Sequence, residues 1–167
     1  MNHNVTIKQR YKVEHFGAGT IFGFTHIRKS TEVFDNLVTT EGRNKYLDAT
    51  LKTGLASPTW YVGLKDTGTV DAADTLASHA GWSELTIYTG DRPAWTPGTI
   101  SAGSVDNSAS KASFTATSAD SVYGCFLASA ASGTSGTLLG AGDFTAAKAL
   151  EIDDILQVTV TCSMTAS

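Results

Sequence analysis

The sequence predicts a mainly β protein: an antiparallel β-sandwich or jelly-roll-like barrel with one short α-helix at about residues 40–53. Charged residues make up only 17% of the chain, against about a quarter in an ordinary domain, so Ser, Thr, Asn and 16 Gly supply most of the polarity. These residue types favour strands and turns over helix surfaces. The last third also contains short apolar runs separated by turn residues, without the helices of a βαβ unit.

The chain is expected to form a single β-sandwich domain over residues 1–167, because it is long enough to bury a core and no linker divides it. Residues 1–35 are expected to be either an N-terminal arm or a strand pair of that domain. Residues 4–15 alternate imperfectly between apolar and charged side chains, which predicts an edge strand with a charged outer face. The Gly-rich residues 17–20 predict a turn, and residues 21–34 the partner strand.

The predicted helix has a signal at each end. Thr39 or Thr40 is the expected N-cap, because a hydroxyl there accepts a hydrogen bond from an unpaired backbone N–H group. Glu41 in the first turn and Lys52 in the last turn complement the helix dipole. Gly54 fits the C′ position just after the helix, where glycine adopts a left-handed backbone easily.

The same helix carries one apolar stripe. Leu47, Leu51 and Leu55 recur every fourth residue, with Tyr46 and Thr50 beside them. We expect this stripe to pack across an open edge or end of the sheets, so that Leu47→Ala costs about 2–5 kcal/mol through cavity formation. The residues expected to face solvent or a partner are Glu41, Arg43, Lys45 and Asp48.

The middle of the chain predicts two further strands around a long loop. In residues 59–65 the side chains of Trp60, Val62 and Leu64 face one way, and Tyr61, Gly63 and Lys65 face the other. Residues 66–81 form the loop. Residues 82–90 predict a strand, and the Pro-containing segment that follows is irregular.

The last third predicts strand after strand: ASFTATS, SVYGCFLAS, TSGTLLGAGDF and DILQVTVTCSMT. In the last of these, every second residue is apolar, which predicts one buried face made of Leu156, Val158, Val160 and Cys162. Asp153 and Asp154 predict the turn that precedes it. Cys125 and Cys162 each fall in an apolar strand, so we expect buried free thiols.

No motif in the chain predicts catalysis, a cofactor or a metal, and we expect none of the three. The segment GAGTIFG has Phe22 where the dinucleotide fingerprint needs glycine. Asp66, Asp71, Asp74 and Glu84 do not match the spacing of a calcium loop, so solvated carboxylates are the favoured interpretation. The histidines His3, His15, His26 and His79 lack the short paired spacing of zinc ligands.

Charge and hydropathy also limit the expected partners. The net charge of −4 means that the chain lacks the excess of basic residues typical of proteins that contact nucleic acid directly. No run of eighteen apolar residues predicts a membrane span, and the N-terminus lacks the pattern of a secretory signal.

One cluster of residues suits a protein interface. Trp82, Tyr88, Arg92 and Trp95 fall in or beside loops, and these residue types are enriched at interface hot spots. The alternative is that the two tryptophans fill the ends of the sandwich, with their indole N–H groups bonded to loop carbonyls.

The motifs follow one another in a characteristic order: NLVTTEGRNKYLDATLKTG, TWYVGLKDTG, GWSE, RPAW, SAGSVDNSASKASFT, VYGCFLAS, GTLLGAGDFTAAKAL and DDILQVTVT. This order resembles a family of small proteins encoded by tailed bacteriophages. The resemblance covers nearly the whole chain, most closely Asn36 to Thr161. It implies a virion accessory protein, similar to the jelly-roll or β-sandwich decoration (cement) proteins on the outside of capsids, with no active site and no cofactor.

The expected function is therefore that of a non-enzymatic capsid decoration protein, made in the host bacterial cytoplasm and placed on the capsid exterior. Its expected partners are the major capsid protein and further copies of itself. A tail, adaptor or fibre-anchoring component is the first alternative. A carbohydrate-binding module, with Trp82 and Trp95 stacked on sugar rings, and a cell-wall hydrolase with paired carboxylates are lower alternatives.

Overall fold

The computed structural model describes residues 4–21, 24–54 and 56–166, and in these residues two antiparallel sheets pack together as in a β-sandwich. The first sheet contains β1 (Val5–Ile21), β2 (Phe24–Asp35), β7 (Ser104–Asp106), β8 (Ala112–Thr115) and β11 (Ile155–Ala166). The second sheet contains β3 (Leu37–Val38), β4 (Trp60–Gly68), β5 (Trp82–Leu85), β6 (Ala94–Trp95), β9 (Asp120–Ala128) and β10 (Leu138–Leu150). Among the described residues the helix is α1 (Thr40–Leu51). The predicted mainly β fold is confirmed.

The strands follow a simple order in each sheet. In the first sheet it is β2-β1-β11-β7, with β8 also paired to β11. In the second it is β3-β10-β9-β4-β5, with β6 also paired to β4. The predicted strand at residues 82–90 is shorter than expected, because β5 ends at Leu85 and Tyr88 makes only a single bridge to Ala116.

The prediction that residues 4–15 form an edge strand is wrong. β1 lies between two neighbours, since Val13 pairs with Glu32 of β2 on one side and with Val158 of β11 on the other. Its charged side chains therefore cover the outer face of the first sheet rather than guard an edge. The edge strand is β2, the predicted partner strand, which pairs with β1 alone.

The predicted turn at residues 17–20 is also wrong, because β1 continues through it. Gly17 pairs with Ile27 and Ala18 with His26, so β1 and β2 form a long hairpin that runs past the end of β11. Gly17 lies beside the flexible Lys29 side chain, whose Cε atom an added Cβ at position 17 would meet. Phe22, in the rejected dinucleotide motif, lies outside the described residues, as does His3.

The main hydrophobic core lies between the two sheets. The predicted buried face of β11 is confirmed, since Leu156, Val158, Val160 and Cys162 are all buried there. β1 contributes Tyr11 and Val13 from the first sheet, and the second sheet contributes side chains that include Val62, Leu64 and Leu127. Cys125 and Cys162 are buried free thiols as predicted, and burial raises the pKa of both.

A second hydrophobic cluster covers the outer face of the second sheet. It consists of Leu76, Trp82, Phe126, Ala128, Leu138 and Ala141. Lys65 is fully buried on this face, where its ammonium group donates to the carbonyls of Asp66 and Gly68 and pairs with Oδ1 of Asp143 at 2.6 Å. The loop after β4 is therefore packed down on the sheet, with Leu76 and Val70 as its apolar contacts.

The start of α1 agrees with the sequence and its end differs slightly. Thr39 is the N-cap: its Oγ1 accepts from the Gly42 N–H at 3.0 Å and donates to the Leu138 carbonyl at 2.6 Å. Lys52 is the C-cap rather than a residue of the last turn, so Gly54 lies two residues beyond the cap and not at C′. Its φ of +82° still requires the left-handed backbone that favours glycine.

The predicted packing of the helix is wrong. Leu47 and Leu51 are 54% and 75% exposed, while Gly42 is buried and Tyr46 packs on the core. Leu55 lies outside the described residues. Glu41, expected to face solvent or a partner, instead accepts the backbone N–H groups of Leu76 and Leu138. The helix is therefore fixed through its first two turns, and its leucines point away from the core.

We expect Leu47→Ala to change the free energy of unfolding by less than about 0.5 kcal/mol, because the side chain leaves little buried area to lose. The matched variant Leu127→Ala removes the same atoms from a fully buried site and is expected to cost about 2–5 kcal/mol. Urea unfolding of both variants measures the difference. Equal losses would contradict the orientation of α1 described above.

Candidate interaction surfaces

The structure brings three of the four predicted interface residues together. Arg92 connects them, because it contacts both Glu84, which also binds Tyr88, and Phe126, which also packs on Trp82. Tyr88 Oη donates to Glu84 Oε1 at 3.4 Å, while Arg92 Nε and Nη2 donate to the two carboxylate oxygens at 2.7 and 2.6 Å. The Trp82 ring lies 5.3 Å from the Phe126 ring, and the Arg92 guanidinium lies 5.1 Å from the centre of the Phe126 ring.

Arg92 also holds the loop that joins β9 to β10. Its Nη1 donates to the Ala130 carbonyl at 2.7 Å, and Nη2 donates to the Gly133 carbonyl at 2.8 Å. Its own backbone N–H donates to the Ala131 carbonyl. The side chain is buried, so its hydrogen bonds stabilise this loop inside the fold. The interface assignment of the four residues stays a prediction, and Tyr88 is the member with a partly exposed side chain.

Both tryptophans are buried with bonded indole groups. Trp82 donates from Nε1 to Oδ2 of Asp74 at 2.9 Å and stacks on His79. Trp95 lies apart from the other three residues, in the core between the sheets, and donates from Nε1 to the Val160 carbonyl at 3.1 Å. Trp82 and Trp95 are only 5% and 8% exposed, which leaves little ring surface for stacking on a sugar.

The carboxylates considered for calcium have other partners. Asp74 accepts from the Trp82 indole and from the Asp71 backbone N–H, and Glu84 is paired with Arg92. Within residues 4–21, 24–54 and 56–166 there is no group of three or more His, Cys, Asp or Glu side chains placed to hold a metal ion.

Exposed apolar side chains collect at one end of the sandwich, which we call the apolar end. Its large members are Val5, Leu37, Ile100 and Met164, which line surface grooves, and Leu47 and Leu51, which are exposed on the neighbouring helix α1. The sheet register explains this location: Ile7 pairs with Met164, and Val5 with Ala166, where the first sheet ends. Here α1 lies between two surface grooves, with Arg43 lining one and Tyr46 the other.

The larger apolar groove of this end has a volume of about 460 Å³. Its lining includes Tyr46 of α1, Pro58, Trp60, Ile100 and Val105. A smaller groove of about 210 Å³ adjoins it and continues along Cys162 to Met164. Two adjoining grooves lined by apolar side chains give the kind of exposed apolar surface that marks interaction sites in folded proteins. The leucine repeat of α1 indicates an apolar face of the helix, and Leu47 and Leu51 on that face are exposed rather than packed in the core.

A buried carboxylate fastens the β1–β2 hairpin to the turn before β11. Asp154 Oδ2 accepts from His15 Nε2 at 2.7 Å and from Lys29 Nζ at 2.8 Å, and Oδ1 accepts from the Ala18 N–H at 2.8 Å. The predicted turn is confirmed here, with Asp153 at a φ of +68°. Burial raises the pKa of Asp154, but the hydrogen bonds outweigh it and hold the pKa well below its usual range.

We expect the protein to lose stability in acid as the carboxylate of Asp154 becomes protonated. Because its folded-state pKa lies below the unfolded value of about 4, the contribution is complete above about pH 5 and declines as the pH falls further. Asp154→Asn should lower stability near neutral pH and flatten the decline in acid. Asp153→Asn is the control, since its side chain is exposed and Asn tolerates its positive φ. Urea unfolding over a pH series tests this, and an unchanged acid slope in Asp154→Asn would contradict it.

Comparison of the sequence with models of protein families and with curated proteins finds no match. In the part of the chain that the structure describes, α1 is too short and too polar to cross a membrane.

Proposed function

We propose that this chain is a non-enzymatic virion structural protein, a capsid decoration protein that binds across major capsid subunits and stabilises the DNA-filled head. The observation that carries the proposal is the apolar end: Ile100 is exposed in an apolar groove of about 460 Å³ that Tyr46 of α1 also lines, and Leu47 and Leu51 are exposed on the same helix. Such a surface is suited to a protein partner. The order of sequence motifs, which resembles that of small tailed-phage proteins, supports the virion as the setting.

The proposed mechanism is mechanical. Copies associate with one another and each copy meets more than one capsid subunit, so modest contacts add through avidity. Buried hydrogen bonds make the sandwich suitable for this role. Arg92 holds the loop between β9 and β10, and Asp154 holds the β1–β2 hairpin, through several hydrogen bonds each. The protein is placed on the capsid exterior after synthesis in the bacterial cytoplasm.

A tail, adaptor or fibre-anchoring component is the second candidate, and the edge strand β2 is the observation that favours it. β2 runs from Phe24 to Asp35 and pairs with β1 on one side only. A partner strand can add to such an edge through backbone hydrogen bonds. The buried positions of Trp82 and Trp95 give no support to the carbohydrate-binding alternative.

Copy number in purified virions tests the proposal. We expect an abundance comparable to that of the major capsid protein, measured by quantitative staining or mass spectrometry. A few copies per particle would overturn the decoration role in favour of the tail candidate. Absence from the particle would overturn both.

A matched pair of variants tests the surface. Ile100→Ser alters a 72% exposed side chain of the apolar end, and Ile152→Ser alters a 58% exposed side chain elsewhere. We expect both proteins to fold and only Ile100→Ser to lose incorporation into virions. Equal incorporation would show that the apolar end is not the contact.

A further inference from the structure

A buried carboxylate lies at the centre of the outer face of the first sheet. Glu14 of β1 is flanked by Thr31 of β2 and Gln157 of β11, and its side chain is only 5% exposed. A carboxylate this buried on a sheet surface needs charged partners, because an unpaired buried charge is strongly unfavourable.

Three cations converge on this single carboxylate. Lys12 Nζ lies 3.4 Å and Arg28 Nη1 lies 3.3 Å from Oε1, while Lys111 Nζ donates to Oε2. The hydrogen bond from Lys111 lowers the pKa of Glu14, burial partly opposes it, and Lys12 lowers the pKa further. Glu14 is therefore ionised at neutral pH. Three positive charges around one negative charge leave the cluster with a local charge of about +2.

The cations keep donors free for a second anion. Arg28 uses one N–H on Glu14 and Lys12 makes a single long contact, although each group carries several donors. Their side chains are 59% and 44% exposed. Lys8 and Arg10 extend the positive charge along the same face of β1, with Arg10 paired to Asp35. This positive face belongs to a chain whose net charge is −4.

We propose that Lys12, Arg28 and Lys111 form a docking site for a carboxylate side chain on the surface of an acidic protein partner. The incoming carboxylate meets the free donors of Arg28 and Lys12, and charge-assisted hydrogen bonds of this kind are the strong ones in protein contacts. Charge complementarity favours an acidic protein over nucleic acid, because three cations neutralise few phosphates and the affinity for nucleic acid grows with the number of phosphates neutralised. This inference does not depend on the virion role.

Binding to immobilised poly-L-glutamate tests the site, with the full-length protein in solution at low salt. The variant K12Q/R28Q removes two free donors and leaves Lys111 to pair with Glu14. The control K45Q/K52Q makes the same change in net charge on α1 and at its C-cap. We expect K12Q/R28Q to bind about tenfold more weakly than wild type, the control to bind as wild type, and binding to fall as salt shortens the Debye length.

Several outcomes would overturn the proposal. Absence of wild-type binding at low salt, or equal weakening in both double variants, would show that no site exists at the cluster. Tighter, cluster-dependent binding to duplex DNA than to poly-L-glutamate would replace the protein partner with nucleic acid. Thermal unfolding checks that K12Q/R28Q is folded. R28Q alone, which alters one exposed 3.3 Å contact, gives a second measurement and should show an intermediate loss.

Discussion

Arg92→Ala is expected to lower the free energy of unfolding by about 3–5 kcal/mol, the cost typical of removing one partner from a buried ion pair. The side chain of Arg92 is 3% exposed and pairs bidentately with Glu84. Its loss leaves that carboxylate without its cation and leaves the carbonyls of Ala130 and Gly133 without the donors they now have. Phe126 also loses the guanidinium that covers its ring.

Arg10→Ala is the matched control for this prediction. Arg10 pairs with Asp35 at 2.8 Å, but the two side chains are exposed and solvent screens the pair, so we expect a much smaller cost than for Arg92→Ala. Urea unfolding of the two variants measures both values under one condition. Losses of similar size would show that Arg92 does not fasten the loop between β9 and β10, and a small loss in Arg92→Ala would mean that this loop is held by other contacts.

Local patterns predicted the parts of the fold that depend on one segment at a time. The alternation in Leu156, Val158 and Val160 identified the buried face of β11, and Thr39 was recognisable as a cap, because each signal lies within a few residues. The place of β1 inside the sheet was not predictable in this way. Pairing with β11 joins residues more than a hundred positions apart, and a charged strand face suits an edge and a solvated outer face equally well.

The direction of the leucine stripe on α1 shows a second limit. Spacing of Leu47 and Leu51 by four residues identifies a common face of the helix, but not whether that face meets the core or a partner. The structure places Gly42 against β10 instead, and a glycine gives no periodic signal. Sequence reasoning therefore found the apolar face of the helix and wrongly placed it in the core.

Buried charges were the residues most thoroughly missed. Glu14, Lys65 and Asp154 looked like ordinary polar positions of strands and turns, because their partners lie far along the chain or on backbone atoms. Arg92 was recognised through its aromatic neighbours in sequence, although as an interface candidate. Its partner Glu84 lies only eight residues away, so this ion pair could have been predicted from the local sequence.

Gly42→Ala is expected to destabilise the protein by about 3 kcal/mol, at the upper end of the range for overpacked sites. An added Cβ would lie 2.1 Å from the carbonyl oxygen of Leu139 and 2.8 Å from the Leu139 Cα, and backbone atoms cannot turn aside as the end of a flexible side chain can. To relieve this clash, α1 must move away from β10. That movement stretches the hydrogen bond from Thr39 to the Leu138 carbonyl and the one from the Leu138 N–H to Glu41.

Helix propensity makes the opposite prediction, which gives the experiment its value. In an exposed helix the same substitution stabilises by about 1 kcal/mol, so a gain in Gly42→Ala would show that α1 does not pack on β10 as described. Gly98→Ala is the control, because its nearest contact is an ordinary 3.6 Å to the Asp106 carbonyl and no positive φ is required. We expect that variant to fall within about 0.5 kcal/mol of wild type in urea unfolding. Because Leu47 and Leu51 are carried by the displaced helix, Gly42→Ala should also disturb the apolar end while leaving every apolar side chain in the sequence.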